Sequence, residues 1–177
     1  AASDVYKRQN TASAQSSTSV EIAYIMVLAV LIIIVILSLT SHSWFEPVIF
    51  LTVIGVAIVM NMGTNLLIGE ISFISQICGA ILQLAVSMDY AIVLLHTFRR
   101  CQREYADPYV AMAHAMKRGF SVVLSSAAVT FFGFLSLTVM QFGIGVNMGI
   151  VLAKGILFSF LTVMFLMPCL TLSLIHI

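Results

Sequence analysis

Residues 20 to 40 read VEIAYIMVLAVLIIIVILSLT, an apolar run broken by a single charge near its start. A helix needs about 20 such residues to cross the hydrocarbon core of a bilayer. Inside a bilayer the backbone has no water to pair with, so spanning segments are helices or closed barrels. Barrel strands would appear as stretches of about ten residues with alternating polarity, and the chain has none. Four more apolar runs follow, at about 47–67, 71–98, 119–140 and 147–170. The second opens on Glu46-Pro47, with proline at a helix-start position, and the last carries Pro168 near its end. With 61% hydrophobic and 8% charged residues and a mean hydropathy of +1.11, the chain lies far from the roughly 25% charge of soluble domains. It is predicted to be an all-α integral membrane protein with five transmembrane helices.

A net charge of +1 gives no pointer to nucleic acid, because the basic residues are few and localised, and no nucleic-acid partner is expected. Cys78, Cys101 and Cys169 lie far apart without metal-ligand spacing, and no metal site is expected. His42, His96 and His114 likewise lack partners at ligand spacing. The ends look foreign. AASDVYKRQ (1–9) and LSLIHI (172–177) resemble translated sequencing-adapter sequence and are set aside from fold reasoning. Residues 10–19, NTASAQSSTS, form a polar, low-complexity linker, leaving 20–171 as the bundle.

Arg99, Arg100, Arg103, Lys117 and Arg118 all fall between the third and fourth runs. The positive-inside rule therefore makes the 99–118 loop cytoplasmic, and alternation puts 65–70 and 141–146 outside. Lys7 and Arg8, on the outer side, run against the rule, which fits an artefactual end. Within the loop, Asp107-Pro108 is a capping pair and Gly119 a stop signal, which predicts a short helix lying at the membrane surface.

Against this apolar background the carboxylate of Asp89 is costly, about 2.5–3.5 kcal/mol at a helix centre on insertion scales. Counted from Arg99-Arg100 it lies about 14 Å into the membrane, too deep to snorkel. Desolvation disfavours the charged form of a carboxyl group, so a group placed there can be neutral when buried and ionised when water or a cation arrives. The other reading is a structural polar residue bonded to a neighbouring helix. On the fourth run, Ser126 and Thr130 lie about 10 and 16 Å from the same side, on one face with Gly133 and beside Ser125. That face suits close helix packing as well as it suits a proton relay. Tyr90 points about 100° from Asp89 round the helix, as a packed aromatic or as a donor to a third helix. Lys154 lies about 20 Å above Pro168; it can snorkel outward, play a structural role, or reach Asp89 as a charge partner. Gly145 and Gly149 suggest tight packing at the head of the fifth run.

GEISFISQICGAILQLAVSMDYAIVLLHTFRR, AMAHAMKRGFSVVLSSAAVTFFGFLSL and FGIGVNMGIVLAKGIL together resemble the MMPL branch of the resistance–nodulation–division permeases. The resemblance covers about 20–171, and the Asp-Tyr pair is its most specific element. It implies that the five spans are helices 2–6 of one half of a two-half protein, with a porter domain upstream of the linker. It implies a bacterial inner-membrane, proton-driven exporter of lipids or other hydrophobic compounds, not an enzyme, needing no cofactor beyond the proton gradient. Asp89 would be the relay carboxylate, with Tyr90, Ser126 and Thr130 completing it. Expected partners are membrane lipids, a hydrophobic substrate, the second half of the polypeptide and, as an option, further copies of the same protein. Two other classes share the architecture: lipid- or sterol-sensing domains, and accessory subunits of Sec-type protein export.

Overall fold

Length alone takes most of the helices across a bilayer. The computed structural model describes residues 24–25, 27–36, 38, 45–68, 73–140 and 143–175. The chain divides into two units, 1–42 and 43–177. The first holds an apolar helix, α1 (Val27–Ile36); the rest of the run expected at 20–40 lies largely outside the described residues. The second holds α2 (Phe45–Ile68), α3 (Phe73–Glu104), α4 (Pro108–Ser136), a 3-10 turn (Leu137–Val139) and α5 (Gly143–Ile175). No strand occurs among the described residues. All four of these long helices are apolar enough to span a membrane. At 1.5 Å per residue, the 32 residues of α3 reach about 48 Å, well beyond a hydrocarbon core of about 30 Å.

Helix α5 is the centre of the second unit, packing on α2, α3 and α4, while α3 packs on α2 and α4 and the outer pair α2 and α4 do not meet. Burial follows this plan. In α5, 56% of the apolar window is buried inside the protein, against 11% in α4. Phe50, Val53, Ile54 and Ala57 of α2, Leu84, Ala91 and Leu94 of α3, and Val151, Ile156 and Val163 of α5 supply the apolar core.

The basic end differs from the sequence expectation. Asp107 caps a helix, accepting from the Tyr109 backbone N–H at 2.9 Å with Pro108 in the first turn. That helix does not stop at Gly119; α4 runs unbroken from Pro108 to Ser136, so there is no separate surface helix. The reason lies in what the glycine faces. Gly119 is buried, and a Cβ there would lie 3.2 Å from Leu94 Cδ1, so its small size lets α3 and α4 approach. Interrupting the helix at this point would leave backbone groups without partners in an apolar setting. In the same way Pro168 lies inside α5, which continues to Ile175.

The tops of α3 and α4 form a packed hairpin at this end. Phe98, Cys101, Ala111, Met112 and Ala115 are buried together, with Leu95, Tyr105, Met116 and Leu172 against them. Tyr105 stacks on His114 with ring centroids 4.4 Å apart. Arg118 pairs with Glu104 at 2.9 Å, and Arg99 pairs with Glu46 at the start of α2.

Candidate functional site

Rotation along α3 decides the chemistry available at the Asp-Tyr pair. Asp89 is exposed on the flank of the second unit, whereas Tyr90, one position on, turns inward and is 2% exposed. Asp89 has no ion-pair partner among the described residues. The Tyr90 phenol oxygen is buried and meets no hydrogen-bond partner in normal geometry. The polar groups that bear on it are the hydroxyls of Thr130 and Ser126 on α4 and the carboxylate of Asp89. The four residues picked out in the sequence as a relay are therefore neighbours, with the phenol at their junction.

Their surroundings are graded. Thr130 is half-buried and donates its hydroxyl to the Ser126 carbonyl at 2.9 Å. Ser126 and Gly133 are exposed, and nothing lies within 4 Å of a Cβ placed on Gly133. That glycine makes no helix contact within the described residues. Gly145 and Gly149 do. A Cβ on Gly149 would stand 2.9 Å from the Phe134 carbonyl oxygen, and one on Gly145 would stand 3.3 Å from Met140 Cβ. Gly149 lets the head of α5 close on the end of α4, and Gly145 lets it close on the 3-10 turn that follows.

Lys154 belongs to a different site. Its ammonium donates to Asn65 Oδ1 on α2, not to Asp89. This contact extends a buried polar layer between α2, α3 and α5 that the sequence reading had not found. Asn61 Nδ2 donates to Gln83 Oε1 at 2.8 Å, and Gln83 Nε2 donates to the Ala57 carbonyl at 3.0 Å. One turn along α3, the hydroxyls of Ser87 and Ser159 bond at 2.6 Å. Gly155 makes room for the layer, since a Cβ there would sit 2.9 Å from Asn61 Nδ2. The signal available was the presence of three amides, Asn61, Asn65 and Gln83, in otherwise apolar runs. Interhelical hydrogen bonds of this kind hold membrane helices together.

Four helices long and apolar enough to span a membrane, with a core sewn by amides and hydroxyls and a carboxylate–phenol–hydroxyl group on one flank, describe a multi-pass membrane protein. The sequence profile of the MMPL family matches residues 9–174. The chain belongs to the MMPL family of membrane transporters. Over 90 residues it is 32% identical to the membrane protein ActII-3 of Streptomyces coelicolor, covering 51% of this chain and 13% of that protein. No solved structure matches the chain.

Proposed function

We propose that residues 20–171 are the membrane part of one half of a proton-driven exporter of lipids or other hydrophobic compounds, with Asp89 as the proton carrier. The observation that carries this reading is the flank of α3 and α4. A carboxylate without an ion pair among the described residues stands open at the surface of the helical unit, beside a buried phenol that has no well-formed hydrogen bond there. An intramembrane ionisable residue of this kind is a functional site by default, because its cost in lipid is otherwise uncompensated. The second half of the polypeptide would cover that flank. The basic end of α3 and α4 faces the cytoplasm of a bacterial cell, as the concentration of Arg and Lys there argues.

Protons enter along the relay and the carboxyl group alternates between charged and neutral forms. Each form favours a different packing of this unit against its counterpart, the rocking motion by which transporters alternate access. One charge crossing the membrane gains about 2.3 kcal/mol per 100 mV, enough to bias such an equilibrium about fiftyfold. The test uses the full-length protein and infrared difference spectra between high and low pH. The wild type is expected to show a protonated-carboxyl band that Asp89→Asn removes, with loss of proton-coupled export. Full export by Asp89→Asn would falsify the assignment.

A further inference from the structure

The polar layer between α2, α3 and α5 holds one acceptor with nothing to accept. Gln83 Nε2 donates to the Ala57 carbonyl at 3.0 Å, which fixes that amide with its Oε1 toward Asn61. Asn61 answers with Nδ2 at 2.8 Å, so neither amide can flip without losing a bond. Asn61 Oδ1 is thereby turned away from Gln83, and it is buried without a hydrogen-bond partner among the described residues. Leaving a buried carbonyl unpaired carries its full desolvation cost. Within the second unit α2 meets only α3 and α5, so a donor from this unit has to come from one of those two helices. Ser75 stands eight residues from Gln83, about 12 Å along α3. The Ser87 hydroxyl is engaged with Ser159, a turn away in the other direction. Lys154 is different. Its ammonium carries three N–H donors, it bonds Asn65 Oδ1, and it has no ion pair among the described residues.

We infer that the Lys154 ammonium has two seats, Asn65 Oδ1 in the arrangement described here and Asn61 Oδ1 in a second one, so that α5 can step along α2 without stranding its charge. Asn61 and Asn65 are four residues apart on α2, which puts them on one face and about 6 Å apart along the helix. Both are buried, at 2% and 4% exposure. Gly155 lies against Asn61, since a Cβ there would stand 2.9 Å from its Nδ2, while Lys154, one residue earlier, reaches Asn65. The two helices therefore run antiparallel at this contact. Side chains tilt toward the N-terminus of their own helix, and that tilt carries the ammonium past Asn61 to the farther seat. The flexible four-carbon stem of lysine lets the same group turn back to the nearer one. Packed elements exchange states by steps of one helical turn, about 5.4 Å, and the spacing of the two carbonyls matches such a step. A charge in this position would otherwise oppose the movement, because an intramembrane ammonium needs an acceptor in every state.

Solid-state magnetic resonance of the full-length protein in lipid bilayers tests this, with nitrogen-15 in the lysine side chains and carbon-13 in the asparagine carboxamides. The Lys154 signal is the one lost in Lys154→Arg. In the wild type it is expected to show through-space cross-peaks to two asparagine carbonyl carbons. Asn65→Ala should remove one of them and strengthen the other, as the ammonium moves wholly to Asn61. Asn61→Ser should do the reverse, so either variant alone assigns both peaks. A single cross-peak in the wild type, belonging to Asn65, would overturn the proposal, as would a Lys154 ammonium that finds no asparagine in Asn65→Ala. A water cross-peak at the Asn61 carbonyl in place of the lysine one would mean a bridging water only, and would overturn it too. The measurement reads neither export nor the Asp89 carboxyl band, so its outcome is separate from that of the proton-carrier assignment.

Discussion

Replacing Gly155 with alanine adds one methyl group at the most crowded point of the buried polar layer. The new carbon would stand 2.9 Å from Asn61 Nδ2 and 3.3 Å from Gln83 Oε1, the two atoms that share the 2.8 Å hydrogen bond between α2 and α3. Asn61 is short and 2% exposed, so it has no open direction in which to swing. Overpacking a filled core costs about 1–3 kcal/mol. Weakening an interhelical bond adds about 0.6–1.7 kcal/mol in membrane proteins. Alanine's better helix propensity returns about 0.8–1 kcal/mol. The balance is a loss of about 1–4 kcal/mol, measured as the shift in unfolding of the full-length protein on titration with a denaturing detergent. A paired variant isolates the cause. In an Asn61→Ala background the obstructing amide is gone, and Gly155→Ala should then be neutral or stabilising, giving a clear coupling energy. If Gly155→Ala were neutral in the wild-type background, the layer would not be packed as described.

Two further substitutions separate the polar layer from the proposed relay. Lys154→Met strands the buried Asn65 carbonyl oxygen, and should destabilise the protein by about 1–3 kcal/mol while leaving the Asp89 carboxyl band in place; loss of that band would tie Lys154 to Asp89 after all. Tyr90→Phe removes a buried hydroxyl without a well-formed bond, so stability should hold within about 1 kcal/mol while the rate of protonation at Asp89, read by time-resolved infrared after a pH jump, falls.

How much of this was legible in the sequence depended on whether the signal was local. Apolar runs, the Asp107-Pro108 cap and the spacing of Ser126 and Thr130 are local, and the structure has long helices, a cap and a cluster of neighbouring polar side chains at those places. Gly119 misled because glycine has two uses: a helix stop, and a place where another helix comes close. Only the position of Leu94 on α3 tells them apart. The partner of Lys154 depended on the rotation of α5 against α2, which no periodicity specifies when a helix is apolar all round. Asn61, Gln83, Ser87 and Ser159 were each unremarkable alone, since an amide or hydroxyl in an apolar run becomes informative only once its opposite number is known.

The packed hairpin at the basic end has a mechanical meaning. Tyr105 stacked on His114, the Arg118–Glu104 pair and the apolar cluster beneath them fasten α3 to α4 at the basic end, while toward the far end each packs on α5, α3 through Gly79 against Val151 and α4 through Phe134 against Gly149. Any spreading of α3 from α4 must therefore be carried by α5, which holds the far part of each. Asp89 and Tyr90 ride on α3, Ser126 and Thr130 on α4, so in the proposed relay proton exchange between them would follow the α3–α4 spacing that α5 sets.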